Sequence, residues 1–177
     1  MSRGKLKVLL SLFLLFLLTI SALAQPHEAA IVIKIIDGDT LGVNFHGKKQ
    51  KVCLIGMDTP EVGYNWKTKS DMEKSGKDLK AIVGQGKEAS NFVKKLVKTG
   101  DQVGLEFDVQ KIEPPKDDKP VRLLGYVYLF DGRMLNEEIV RAGYGQVYTV
   151  PPNVKYVKRF RRAEQEARQG KRGMWVE

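Results

Sequence analysis

One cysteine, two tryptophans and two histidines are all that these three residue types contribute to 177 residues. With Cys53 alone no internal disulfide forms, so stability must come from a packed core. His27 and His46 have no partner at metal-ligand spacing, and both read as surface residues. There is no internal repeat and no low-complexity segment. Beyond the first 24 residues no apolar run is long enough to cross a bilayer, which takes about 20 residues.

What is present begins with a three-part leader. Arg3, Lys5 and Lys7 precede an apolar run from Val8 to Ile20, and Ala22-Leu23-Ala24 supplies small residues for cleavage before Gln25. Residues 1–24 therefore read as a secretory signal peptide, with a retained signal anchor as the alternative. The mature chain, 25–177, is expected outside the cytoplasmic membrane, secreted or periplasmic, as a monomer without stable membrane association. Its length suits one domain with its own core. Removing the basic leader lowers the formal net charge from +9 to about +6. That balance suits a polyanionic partner without requiring one.

The first half of the mature chain reads as strands. Ala30–Ile36 is rich in Ile and Val and ends at Asp37-Gly38. Thr40–Phe45 alternates, with Leu41, Val43 and Phe45 on one face, and His46-Gly47 turns it into Lys49–Gly56. Ala89, Phe92, Val93, Leu96 and Val97 then recur at helical spacing. Strands follow over Gln102–Val109 and Val121–Phe130. A helix is expected over Leu135–Ala142, and another carries Tyr156, Phe160, Ala163 and Ala167 on one stripe. Val62–Val83 and Glu113–Pro120 read as solvated surface loops. This order makes an α+β chain compatible with a five-stranded OB-fold barrel and three helices, although other α+β folds share it.

Two acidic clusters sit at strand ends: Asp37-Gly38-Asp39-Thr40 and Asp58-Thr59-Pro60-Glu61. Each alone is an ordinary turn sequence. Brought close together, such carboxylates repel unless a cation compensates them, and hard divalent ions take oxygen ligands of this kind. The two clusters belong to a longer pattern. Asp-Gly-Asp-Thr is followed by Leu54-Ile55-Gly56-Met57-Asp58-Thr59-Pro60-Glu61, then Arg122-Leu123-Leu124-Gly125-Tyr126-Val127-Tyr128, Asp131-Gly132, Met134-Leu135-Asn136 and Trp175. Over about residues 30 to 176 the chain resembles the staphylococcal nuclease (thermonuclease) family. The resemblance implies an OB barrel and calcium-dependent cleavage of DNA and RNA, with single-stranded or locally melted segments preferred. It places Asp39, Asp58 and the Thr59 carbonyl on the calcium, Glu61 on the attacking water and Arg122 on the scissile phosphate.

One position departs from that pattern. Where the family carries a second phosphate-binding arginine, this chain has Cys53, read as a small, half-buried spacer without positive charge. Reduced activity is the expectation. Lys51, on the same face of its strand, is the candidate partial substitute, and Tyr148 is a candidate substrate contact. Tyr64 and Trp66, among the lysines of the Val62–Val83 segment, suit stacking and charge contacts with a nucleic-acid strand. Two other readings use the same residues: an OB module that binds nucleic acid with little or no catalysis, and a protein-interaction domain.

Overall fold

The computed structural model describes residues 27–114 and 121–176. The expected leader and most of the proline-rich loop lie outside these residues. Five strands close a barrel: β1 (Glu28–Ile35), β2 (Thr40–Phe45), β3 (Lys48–Leu54), β5 (Gln102–Glu106) and β6 (Leu123–Tyr128), in the order β1-β2-β3-β6-β5. β1 also pairs with β5, and β3 runs parallel to β6 while the other barrel pairs are antiparallel. This is an OB barrel, as the strand order suggested. The β2–β3 connection is the two-residue turn His46-Gly47, both at positive φ (50° and 76°), which matches the twist of the flanking strands. Two further short strands, β4 (Met57–Asp58) and β7 (Gln146–Val147), pair beside the barrel.

Among the described residues there are four α-helices rather than the expected three: α1 (Trp66–Ser75), α2 (Leu79–Leu96), α3 (Leu135–Arg141) and α4 (Val157–Gln169). A short 3-10 turn follows at Gly173–Trp175. The segment read as the loop Val62–Val83 thus holds α1 and the start of α2. α1 has no apolar stripe, and Thr68 is its one buried residue. Its ends hold it instead. The Asn65 side chain accepts from the Thr68 amide at 2.9 Å, and Gly76 closes the helix in the left-handed conformation. α2 starts on an Asp78 cap and buries Ile82, Gly86, Ala89 and Val93 along one face.

The barrel interior is filled by Val32, Leu41, Val43, Val52, Leu54, Leu105 and Val127, with Val93 of α2 and Leu135 and Ile139 of α3 packed against them. A second cluster joins Ile55, Tyr126, Met134 and Phe160. Fully buried Asn136 ties these layers together. Its amide nitrogen donates to the carbonyls of Ile55 (3.0 Å) and Gly125 (3.3 Å), and its oxygen accepts from the Val127 amide (2.9 Å). Replacing it takes their side-chain partner from the Val127 amide and the Ile55 carbonyl, while the Gly125 carbonyl keeps the Ile55 amide; each buried group left unpaired costs about 1–3 kcal/mol. Asn136→Leu is therefore expected to lower unfolding free energy by roughly 3 kcal/mol or more in urea titrations. A loss below about 1 kcal/mol would contradict this role.

His27 is not the surface residue expected from sequence. Its ring stacks on Tyr128 with centroids 3.7 Å apart, and Nε2 lies 3.6 Å from Glu106. Burial disfavours the Glu106 carboxylate. Lys155 and the hydroxyls of Tyr128 and Tyr156 nevertheless hold its pKa below the usual range. His46 is exposed and bonds Glu28 at 2.9 Å.

Candidate functional site

Three backbone pairings converge at one end of the barrel. In the β2–β3 ladder Thr40 faces Cys53, and the Leu54 amide donates to the Asp39 carbonyl at 2.8 Å. In the parallel pair Val52 and Cys53 face Leu123 and Leu124, which sets Arg122 beside the end of β3. In the small sheet Asp58 faces Gln146, and the Tyr148 amide donates to the Gly56 carbonyl at 3.1 Å. The result is a cavity of about 530 Å³ lined by Asp39, Lys51, Cys53, Asp58, Glu61, Arg122 and Tyr148. These are the residues singled out in sequence, with Thr59 buried beside them.

Gly86 of α2 fixes the loop that carries Glu61. A Cβ there would stand 2.3 Å from the Glu61 carbonyl oxygen and 2.6 Å from that of Pro60. Only glycine lets the helix and the loop approach this closely.

The acidic half of the cavity is a connected network. Asp39 Oδ2 accepts from the Thr59 amide (3.1 Å) and hydroxyl (3.3 Å), and its Oδ1 accepts from the Thr40 hydroxyl (3.0 Å). Asp37 accepts from the Asp39 amide at 3.1 Å. Burial, with the Asp39 charge next to it, raises the Asp37 pKa to about 7. Asp58 is also raised, by burial first, despite a 2.7 Å contact with the Lys67 ammonium.

That ammonium makes three contacts: Asp58 Oδ1 at 2.7 Å, the Thr59 carbonyl at 2.7 Å and Glu61 Oε1 at 3.1 Å. Burial opposes its charge, but Asp58, Asp39 and Glu61 together hold Lys67 protonated, with its pKa above the ordinary lysine value. Glu61 Oε2 in turn accepts from the Asn65 side chain at 2.9 Å.

The basic half is simpler. Arg122 donates through Nε (2.5 Å) and Nη2 (2.7 Å) to both carboxylate oxygens of Glu113, and this contact raises its pKa. The backbone sets the pair up: the Glu113 amide donates to the Arg122 carbonyl at 2.9 Å, extending the ladder past β6. Cys53 is half-buried, as expected of a spacer. Burial, reinforced by the charge of Asp39, pushes its thiol up to about 12, so it is a neutral group and no thiolate nucleophile. Tyr148 and Trp66 line the cavity from its rim, 58% and 74% exposed.

Among the described residues, no three His, Cys, Asp or Glu side chains form a ready metal cage. The donors around Lys67 nonetheless fit an oxygen-liganded divalent ion. Two carboxylates and a backbone carbonyl already converge on one cation, and Asp39 is bonded to the same threonine.

Nothing in the sequence marks out Lys67 or Glu113. Lys67 was one of several lysines in an apparent loop, and its direction depends on a helix without an apolar stripe. Glu113 belonged to a proline-rich charge run, and only the ladder places it opposite Arg122. The Asn65 cap was the one readable signal, since it fixes where α1 begins.

Comparison with known proteins gives a consistent outcome. The family described as Staphylococcal nuclease homologue matches residues 51–177. The chain is 35% identical over 144 residues to the Thermonuclease of Staphylococcus hyicus, covering 81% of this chain and 73% of that protein. It is 38% identical over 141 residues to Endonuclease YncB of Bacillus subtilis, covering 79% of this chain and 58% of that protein. A third relative, the SPbeta prophage-derived endonuclease YokF of Bacillus subtilis, is 35% identical over 141 residues, which make up 41% of its length.

Proposed function

Because the chain belongs to the staphylococcal nuclease family, we propose that it is an exported, calcium-dependent nuclease that hydrolyses phosphodiester bonds in DNA and RNA. The observation that carries this reading is the opposition, across one cavity, of a cation-embracing oxygen cluster and the guanidinium of Arg122.

Asp39, Asp58 and the Thr59 carbonyl are the residues to hold calcium. When bound, the ion supplies positive charge to offset that growing on the phosphate oxygens. Glu61 stands at the same edge of the cavity, where its carboxylate orients a water and takes its proton at Oε1 or Oε2. Arg122 faces the phosphate from the opposite side. Its guanidinium has five N–H donors and the Glu113 pair uses two of them, so phosphate contact does not require that pair to break. Lys51 and Tyr148, at the rim, are placed to grip the flanking strand, which suits single-stranded or locally melted substrate. The leader-like residues 1–24 support export, to the periplasm or beyond, and the mature chain is read as a monomer.

Digestion of a single-stranded oligonucleotide in calcium, repeated with excess chelator, tests this reading. Cleavage in calcium should fall to background with chelator, and binding should weaken steeply between roughly 50 and 200 mM salt as phosphate counterions are displaced. Undiminished cleavage in chelator would remove the calcium assignment. The neutral Cys53 thiol favours a second reading, a nucleic-acid-binding module with little turnover. Salt-sensitive binding without cleavage in either condition would select it.

A further inference from the structure

We propose that Lys67 is the resident counter-cation of the metal site, and that calcium enters only as its ammonium withdraws, which couples metal loading to the position of α1. This rests on the calcium reading above. An ammonium has three N–H donors, and the three oxygens within 3.1 Å of Lys67 Nζ account for all of them. Those oxygens belong to Asp58, Thr59 and Glu61, residues read as holding calcium or the attacking water. Calcium binds oxygen at about 2.3–2.6 Å. An ion at that distance from Asp58 and the Thr59 carbonyl occupies the space the nitrogen now fills. The two cations are therefore mutually exclusive.

The withdrawal has a structural consequence because Lys67 is the second residue of α1. The residue that caps the helix is tied to the same cluster: Asn65 accepts from Thr68 and donates to Glu61. The one buried residue of α1, Thr68, is polar and is held by the Gly63 carbonyl (2.6 Å) and the Asn65 cap, so a shift of the first turn strains these hydrogen bonds rather than apolar core packing. Lys67 neutralises the acidic cluster in the metal-free protein and competes with the ion that replaces it. The price is a lower affinity for free calcium.

Calorimetric titration of calcium chloride into the purified protein and its Lys67→Met variant, without nucleic acid, tests the competition. The variant keeps the unbranched apolar stem, one atom shorter, and removes the charged end, so calcium should bind at least about tenfold more tightly. In the parent, saturating calcium should speed hydrogen exchange of the amides of residues 66–75 and leave those of β2 unchanged. Failure of either result overturns the coupling: equal or weaker binding in the variant makes Lys67 an ordinary ion pair or a support for the cage. If the variant does not fold, exchange in the parent decides alone. Calcium uptake by neither protein would remove the calcium reading itself, an outcome distinct from equal uptake by both.

Discussion

Glu61→Gln is expected to slow cleavage by about 10²- to 10⁴-fold, the range associated with general acid–base catalysis. The amide has the volume of the carboxylate, and its oxygen can still accept from Lys67; only the bond from Asn65 is lost, because the Asn65 oxygen is committed to capping α1. The amide cannot take a proton from water. Gly86 holds the loop backbone against α2 whatever side chain residue 61 carries, so the fold should be preserved. The loss belongs in turnover, while affinity for a single-stranded oligonucleotide should change little. Single-turnover cleavage at saturating calcium separates the two quantities. A variant as fast as the parent would show that Glu61 is not the water-activating group.

Cys53→Arg should act in the opposite direction. Position 53 opens into the cavity between Asp39 and Arg122, and a longer side chain has room to extend toward the phosphate. The parent thiol is neutral, with its pKa pushed up to about 12, so the substitution adds a whole positive charge. A fixed donor aimed at charge that develops in the transition state is worth roughly 10²- to 10³-fold in turnover. Substrate affinity should gain less, because the ground-state phosphate is already charged. Lys51 lines the same cavity. If it partly substitutes for the missing arginine, Lys51→Ala should harm the parent more than the Cys53→Arg variant. Rates for all four proteins on one oligonucleotide give the answer. A folded Cys53→Arg variant that is no faster would mean that the site is built around the thiol.

Much of the frame was legible because the barrel strands obey a simple rule. Leu41, Val43 and Phe45 alternate toward the interior, and His46-Gly47 can hardly be anything but a tight turn. Phe160, Ala163 and Ala167 mark the buried stripe of α4 in the same direct way. α1 was not legible because its stability resides in end caps, with no apolar face for periodicity to detect. The β4–β7 pair is two residues long on each side, too short for any alternation to register. In the site, Asp39, Asp58, Glu61 and Arg122 stood out because they lie at strand ends within a recognisable pattern. The ion pairs that now neutralise them, Lys67 with Asp58 and Glu61 and Glu113 with Arg122, depend on loop and helix geometry that composition does not encode. His27 was misread for a similar reason, since nothing in a lone histidine near the start of the domain reveals a stack on Tyr128.

The parallel pairing of β3 with β6 also bears on when the molecule becomes dangerous to nucleic acid. Arg122 reaches the side of Cys53 and Asp39 only when two strands roughly 70 residues apart in the chain come into register. Contacts of such long range demand costly loop closure and form slowly compared with local hairpins. The hairpin from β2 to β3 can set Asp39 beside the end of β3 early, but without β6 it has no arginine opposite it. A chain still folding thus lacks the arginine side of the cavity. The full set of candidate site residues therefore comes together only as the barrel closes.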